Sequence, residues 1–286
     1  MNKFYLCAII AAMIVCIFIF GYYILTQNNL TNPDSHGVSA ESENNRVFQN
    51  SRIKGAIVCY IPEMDRTAAA KDLIYKHHDG KELKLDIYYP PEHKKGETLK
   101  AVLLIHGSTP NKNFKDGPYF TSWGRLVAAN GFAAVTFNWR SGSNPEDIAD
   151  LIEYIRENAS ALDIDENNIS ILAFSMGVEN AVDQSAKVDT GFIKSITAYY
   201  GKLPEGVLED KYKNHMPPVF LAEAANDSFF SKDCNDNFVN KANGLGHSVR
   251  RVVHQSGTHG FDLYDDSDET LEIINSSIDF IKKYSN

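Results

Sequence analysis

The chain has 286 residues, of which 43% are hydrophobic and 23% charged, and a formal net charge of −9. The length suits one α/β domain of about 230 residues plus an extension. The acidic balance argues against a nucleic-acid binder, which needs a basic surface to release counterions from phosphates.

Residues 4–25 carry no charge and are almost wholly apolar. As a helix they reach roughly 33 Å, enough to cross a hydrocarbon core of about 30 Å. The run is too long for the apolar region of a cleaved signal and ends without an Ala-x-Ala site. No small residue precedes Cys7 or Cys16, as a lipoprotein signal requires. A retained membrane anchor within residues 1–26 is therefore expected, with a secreted product the outcome if it is cleaved. Lys3 precedes the span and the next Lys or Arg is Arg46, so the positive-inside rule puts the rest of the chain outside the cytoplasm. Residues 27–52, rich in Asn, Ser, Glu and Thr without apolar periodicity, read as a flexible tether. Residues 53–286 form the remaining domain. Its two cysteines, Cys59 and Cys234, could pair in an oxidising compartment, but spacing alone leaves that open.

Residues 53–61 and 73–77 are short strand-like runs. Asp79-Gly80 is a turn signal and residues 83–89 alternate, predicting a hairpin. The histidine doublet His77-His78 beside it has no partners at metal-ligand spacing and reads as surface. Residues 101–105 form an apolar run of the kind a strand buried on both faces requires. A helix is predicted over 119–130 and a buried strand over 132–139. The next helix starts with Asn144 as N-cap and Pro145 at the first helical position. It continues through Ile148, Leu151, Ile152 and Ile155 at helical spacing. A strand over 169–174 runs directly into a helix over 176–187. Strands 192–200 and 218–224, a helix near 232–243, strand 249–254 and a helix near 268–284 follow. Alternating strands and helices imply a mostly parallel sheet with helices on both faces and an antiparallel hairpin at its start.

Ser175, in Ala-Phe-Ser-Met-Gly, sits where a buried strand turns into a helix. A nucleophile on so tight a turn needs small residues two before and two after it. Ala173 and Gly177 satisfy that, with alanine in place of the usual glycine. An acid and then a histidine should follow in the chain. Asp227 lies just past the strand 218–224, at its carboxyl end, where open parallel sheets place their sites. Asp233 and Asp236 fall in the following helix, and Glu223 is within the strand and less well aimed. His259, in Ser-Gly-Thr-His-Gly-Phe, occupies a glycine-flanked loop suited to a mobile base. An oxyanion hole needs two backbone N–H groups. Met176, after the nucleophile, is one candidate, and Ser108, in His106-Gly107-Ser108-Thr109 after strand 101–105, is the other. His106 itself reads as structural.

His106-Gly107, Ser175, Asp227 and His259, in that order, resemble the α/β-hydrolase superfamily, most closely its compact esterase and dienelactone-hydrolase-like members. The resemblance covers about residues 70–284. Residues 79–90 are similar to the entry hairpin of secreted esterases and of prolyl-oligopeptidase-type peptidases. Dienelactone hydrolases proper use cysteine, so serine points toward esterases. The resemblance implies an acyl transfer on a small-molecule ester through Ser175, His259 and Asp227, with no cofactor or metal. Only residues 201–216 separate two strands at the usual lid position, so no large lid is expected. Two alternatives stay open: a peptidase of prolyl-oligopeptidase type, lacking that family's propeller, and a membrane-tethered binding protein on an inactive hydrolase fold.

Overall fold

The computed structural model of the protein describes residues 54–107, 114–140, 145–231 and 233–285. The predicted anchor and tether, Ser108 and the Asn144 cap lie outside the described residues. Among the described residues, no helix is long and apolar enough to cross a membrane.

The strand expected over 53–61 does not form across the described residues 54–61, which are turn and coil leading into a 3-10 turn, Pro62–Arg66. Ile57, Cys59 and Ile61 are buried, so the alternation is real. Its backbone groups, however, find other partners than a strand. Ile57 N donates to Ser122 Oγ at 3.0 Å, and Val58 N to Asp262 O at 2.9 Å. Apolar alternation without a neighbouring strand produces a buried coil.

The elements in chain order are β1 (Ala68–His78), β2 (Lys81–Tyr89), β3 (Leu99–Ile105), α1 (Pro118–Ala129), β4 (Ala133–Phe137), α2 (Glu146–Glu157), β5 (Ile164–Phe174), α3 (Gly177–Val188), β6 (Ile193–Tyr199), β7 (Val219–Ala224), α4 (Asp236–Gly244), β8 (Val249–His254), the single turn α5 (Phe261–Tyr264) and α6 (Asp268–Tyr284). Asp79 and Gly80 both have positive φ, 48° and 71°, the pair of angles a two-residue hairpin turn requires. Pro145 caps α2, and helical residues begin at Glu146, one position later than the sequence pattern indicates.

The strands lie in the order β1-β2-β4-β3-β5-β6-β7-β8. Pairings β1–β2 and β2–β4 are antiparallel, and the rest are parallel. Each buried strand feeds two cores because successive side chains point to opposite faces. Ala101, Leu103 and Ile105 join Ile148, Ile152, Val178 and Ala181 of α2 and α3 on one side. Val102 and Leu104 join Trp123, Leu126, Ile274 and Ile278 of α1 and α6 on the other. The near-continuous apolar runs of these strands are the consequence. Residues 201–216 make no lid: Leu203, Val207, Leu208, Tyr212 and Met216 are buried in the first core. Cys59 and Cys234 are not joined in a disulfide.

Candidate active site

β5 ends at Phe174 and α3 begins at Gly177, leaving two residues to reverse direction. Ser175 accordingly has φ 53°, a left-handed conformation that costs a non-glycine residue about 1–3 kcal/mol. Its N–H donates to Tyr199 O at 2.9 Å, and its carbonyl accepts from Val178 N at 3.0 Å, so the elbow is tied on both sides. Ala173, where such turns usually carry glycine, is completely buried between Ile105 and Ala198. The tight position is Gly177 instead. A Cβ there would lie 2.8 Å from His106 C and 2.9 Å from Ile105 O. Gly107 approaches from the other side, where a Cβ would stand 3.0 Å from Ser175 Cβ and 3.4 Å from Ser175 Oγ. Any side chain at 107 would crowd the hydroxyl.

Ser175 Oγ lies 3.0 Å from His259 Nε2, and His259 Nδ1 lies 2.8 Å from Asp227 Oδ2. These three residues come from the ends of β5, β7 and β8, all at the carboxyl edge of the parallel strands. Asp227 Oδ1 accepts from Phe229 N at 2.7 Å and Phe230 N at 3.0 Å, which fixes the carboxylate plane. Burial works to raise its pKa, but the His259 contact and the two amides outweigh burial and hold it below the usual carboxylate value. Asp227 is therefore ionised at neutral pH. The imidazole is enclosed by the rings of Tyr200 at 4.7 Å, Phe229 at 4.8 Å and Phe230 at 5.9 Å.

The competing carboxylates are engaged elsewhere. Buried Glu223 accepts from Asn235 Nδ2 at 2.8 Å and pairs with Arg251. Asp236 opens α4 and pairs with Arg251 at 2.6 Å. Asp233 precedes α4 rather than lying in it. His106 is buried, and Trp139 Nε1 donates to its Nδ1 at 2.9 Å. Burial pushes its pKa down to about 4, against a smaller opposing effect of the Gly107 backbone, so it is neutral in the working range. Met176 caps α3 and is 45% exposed beside Ser175. The predicted helix start at Met176 is thus one residue early. Phe229, whose ring lies 4.8 Å from the His259 imidazole, is 48% exposed. Among the described residues no group of three or more His, Cys, Asp or Glu is arranged to hold a metal ion.

Sequence reasoning passed over Tyr200, Phe229 and Phe230 as site residues. Their signal was position: each follows closely the carboxyl end of a buried strand. It also passed over Asp262, whose carboxylate accepts from Trp123 and lies within hydrogen-bond distance of Tyr119 and Tyr200.

Residues 85–201 match the BD-FAE family model. No curated protein matches the chain by sequence. Among solved structures, Thermogutta terrifontis esterase 2 phosphonylated by cyclosarin superposes with a TM-score of 0.61 at 18% identity, covering 78% of this chain and 94% of that one. The apo form of the same esterase gives 0.61 at 18% identity, covering 78% and 96%. With eight strands in this order, helices on both faces and these similarities, the chain has the α/β-hydrolase fold.

Proposed function

We propose that the protein is a serine hydrolase that cleaves a carboxylic ester through an acyl-enzyme intermediate. One observation carries the reading: Ser175 Oγ, His259 and Asp227 form a continuous hydrogen-bonded line, at 3.0 and 2.8 Å, starting from a strained elbow. In this reading His259 Nε2 takes the Ser175 proton as Oγ attacks the carbonyl carbon. Ionised Asp227 holds the proton on Nδ1 and stabilises the imidazolium that forms. His259 then returns the proton to the leaving alkoxide. Water, deprotonated by the same nitrogen, attacks the acyl-enzyme and restores Ser175 Oγ–H as the acid departs. The backbone amide of Met176, at the amino end of α3, is assigned to the oxyanion, with the Ser108 amide as its partner on the loop after β3.

Thermogutta terrifontis esterase 2 has been captured phosphonylated by cyclosarin and with propionate or butyrate bound. A phosphonylating probe and short-chain p-nitrophenyl esters are therefore the fitting reagents. The folded protein is expected to label at Ser175 with a fluorophosphonate and to hydrolyse the esters, with both properties lost in Ser175→Ala. Wild-type protein that is folded yet neither labels nor turns over would overturn the proposal. The apolar stretch 4–25 supports a further part of it, that residues 53–286 act outside the cytoplasm on a tether formed by 27–52. The mass of the mature protein distinguishes a retained anchor from a cleaved segment.

A further inference from the structure

Asp262 is a fully buried titratable group with no role in the chemistry above. It lies in α5, three residues after His259, and its side-chain partners are Tyr119 and Trp123 of α1 and Tyr200 beyond β6. No cation is among them. Tyr199, at the end of β6, is close enough to feel it electrostatically, and the Tyr200 ring also contacts the His259 imidazole.

The hydrogens in this cluster can be counted. Three oxygen–oxygen contacts close a ring: Tyr119 Oη to Tyr200 Oη at 2.6 Å, Tyr119 Oη to Asp262 Oδ2 at 2.6 Å, and Tyr200 Oη to Asp262 Oδ1 at 2.8 Å. Each contact is hydrogen-bond length and needs one hydrogen. Burial, the largest influence on each, pushes both phenols well above their ordinary range, so each keeps its single hydrogen. Two phenols therefore supply two hydrogens for three contacts. With Asp262 ionised, one pair of oxygens would face each other at 2.8 Å or less with nothing between them. Trp123 Nε1 donates to Oδ2 at 2.8 Å and cannot fill the gap.

We propose that Asp262 is held as a neutral acid in a closed hydrogen-bonded ring with Tyr119 and Tyr200, and that this ring positions His259. Asp262 Oδ1–H donates to Tyr200 Oη, Tyr200 donates to Tyr119, and Tyr119 donates back to Oδ2. Every contact then holds one hydrogen. Burial, the largest influence on this carboxyl, acts in the same direction and raises its pKa. Tyr200 transmits the position. Its hydroxyl is pinned in the ring while its aromatic ring meets the His259 imidazole at 4.7 Å and 60°. Its backbone is held at φ 36°, a conformation that persists only when the surroundings impose it. A neutral Asp262 also puts no second negative charge behind the imidazole, which leaves Asp227 to set its tautomer.

The catalytic consequence rests on the hydrolase reading; the protonation does not. Two variants and one spectrum test both. In Asp262→Asn the amide nitrogen takes the place of Oδ1–H and donates to Tyr200, while the amide oxygen accepts from Tyr119 and Trp123. Asp262→Ala removes the ring. Ester hydrolysis is expected to lose on the order of tenfold to a hundredfold in kcat in the alanine variant, with KM little changed, and to be largely rescued by asparagine. The acid limb of the kcat/KM profile should stay in place in Asp262→Asn. If Asp262 were ionised, its removal would shift that limb to lower pH. Infrared difference spectra of wild type against Asp262→Asn should show the carbonyl band of a protonated carboxyl at neutral pH. Absence of that band, or an asparagine variant as impaired as alanine, overturns the ring even in an active enzyme. An inert wild type that shows the band refutes the hydrolase reading and leaves the neutral acid standing.

Discussion

Gly177→Ala tests whether the elbow's geometry depends on the close approach of α3 to the end of β3. The added Cβ would meet the His106 carbonyl group, with its carbon at 2.8 Å, and Ile105 O at 2.9 Å, where ordinary contact begins near 3.4 Å. The obstacle is backbone from β3 and the residue after it, so no side chain can swing aside. Relief requires α3 and β3 to separate by roughly half an ångström or more, and overpacking of this kind costs about 1–3 kcal/mol. The displaced residues are the two that follow Ser175, so the Ser175 hydroxyl moves relative to His259 Nε2. A misplacement of this order costs on the order of tenfold to a hundredfold in rate. The measurements are kcat on a short p-nitrophenyl ester and a thermal melt followed by circular dichroism. A variant with wild-type kcat and an unchanged melt would refute the reasoning, because it would show that the elbow tolerates a Cβ where the geometry leaves no room.

Asp227→Asn should keep the fold but lower kcat on the order of a thousandfold or more, because an amide no longer favours the Nδ1–H tautomer of His259 or stabilises the imidazolium; a loss under tenfold, with the fold intact by circular dichroism, would remove Asp227 from the mechanism. Asp147 is fully buried, gripped by Arg140 Nε at 2.9 Å and Nη2 at 2.8 Å and by Lys76 Nζ at 2.6 Å. Its replacement by Asn is expected to cost about 3 kcal/mol in urea unfolding at neutral pH, the low end for a broken buried pair because both cations reach solvent. Burial acts to raise this carboxyl's pKa, but Arg140 and Lys76 outweigh it and lower it. The stabilisation is therefore fully present above the ordinary carboxylate pKa and is lost as pH falls through the depressed folded value. The gap between wild type and variant should hold at neutral pH and close only in strong acid; a gap that closes near pH 6 would contradict the sign.

Much of the fold is legible in local chemistry. The runs at 101–105 and 169–174 read as buried strands and Asp79-Gly80 as a tight hairpin turn, because those properties belong to a few adjacent residues. Ser175 was singled out as a candidate in the same way, through small neighbours at a strand-to-helix junction. Chain order and loop position also singled out Asp227 and His259 as candidates. Tertiary structure decided what depends on residues distant in the chain. The alternation over 54–61 became buried coil because Ser122 and Asp262 took its amide hydrogens in place of a neighbouring strand. Glu223 was turned away from the site by Asn235 and Arg251, which left Asp227 facing the imidazole. Tyr119, Tyr200 and Asp262, separated by 62 to 143 positions, meet only after the sheet has formed. A sequence specifies its elements through neighbours a few residues apart. Whether a buried polar group is satisfied, and what its proton then does, depends on which distant groups the packed layers bring within 3 Å.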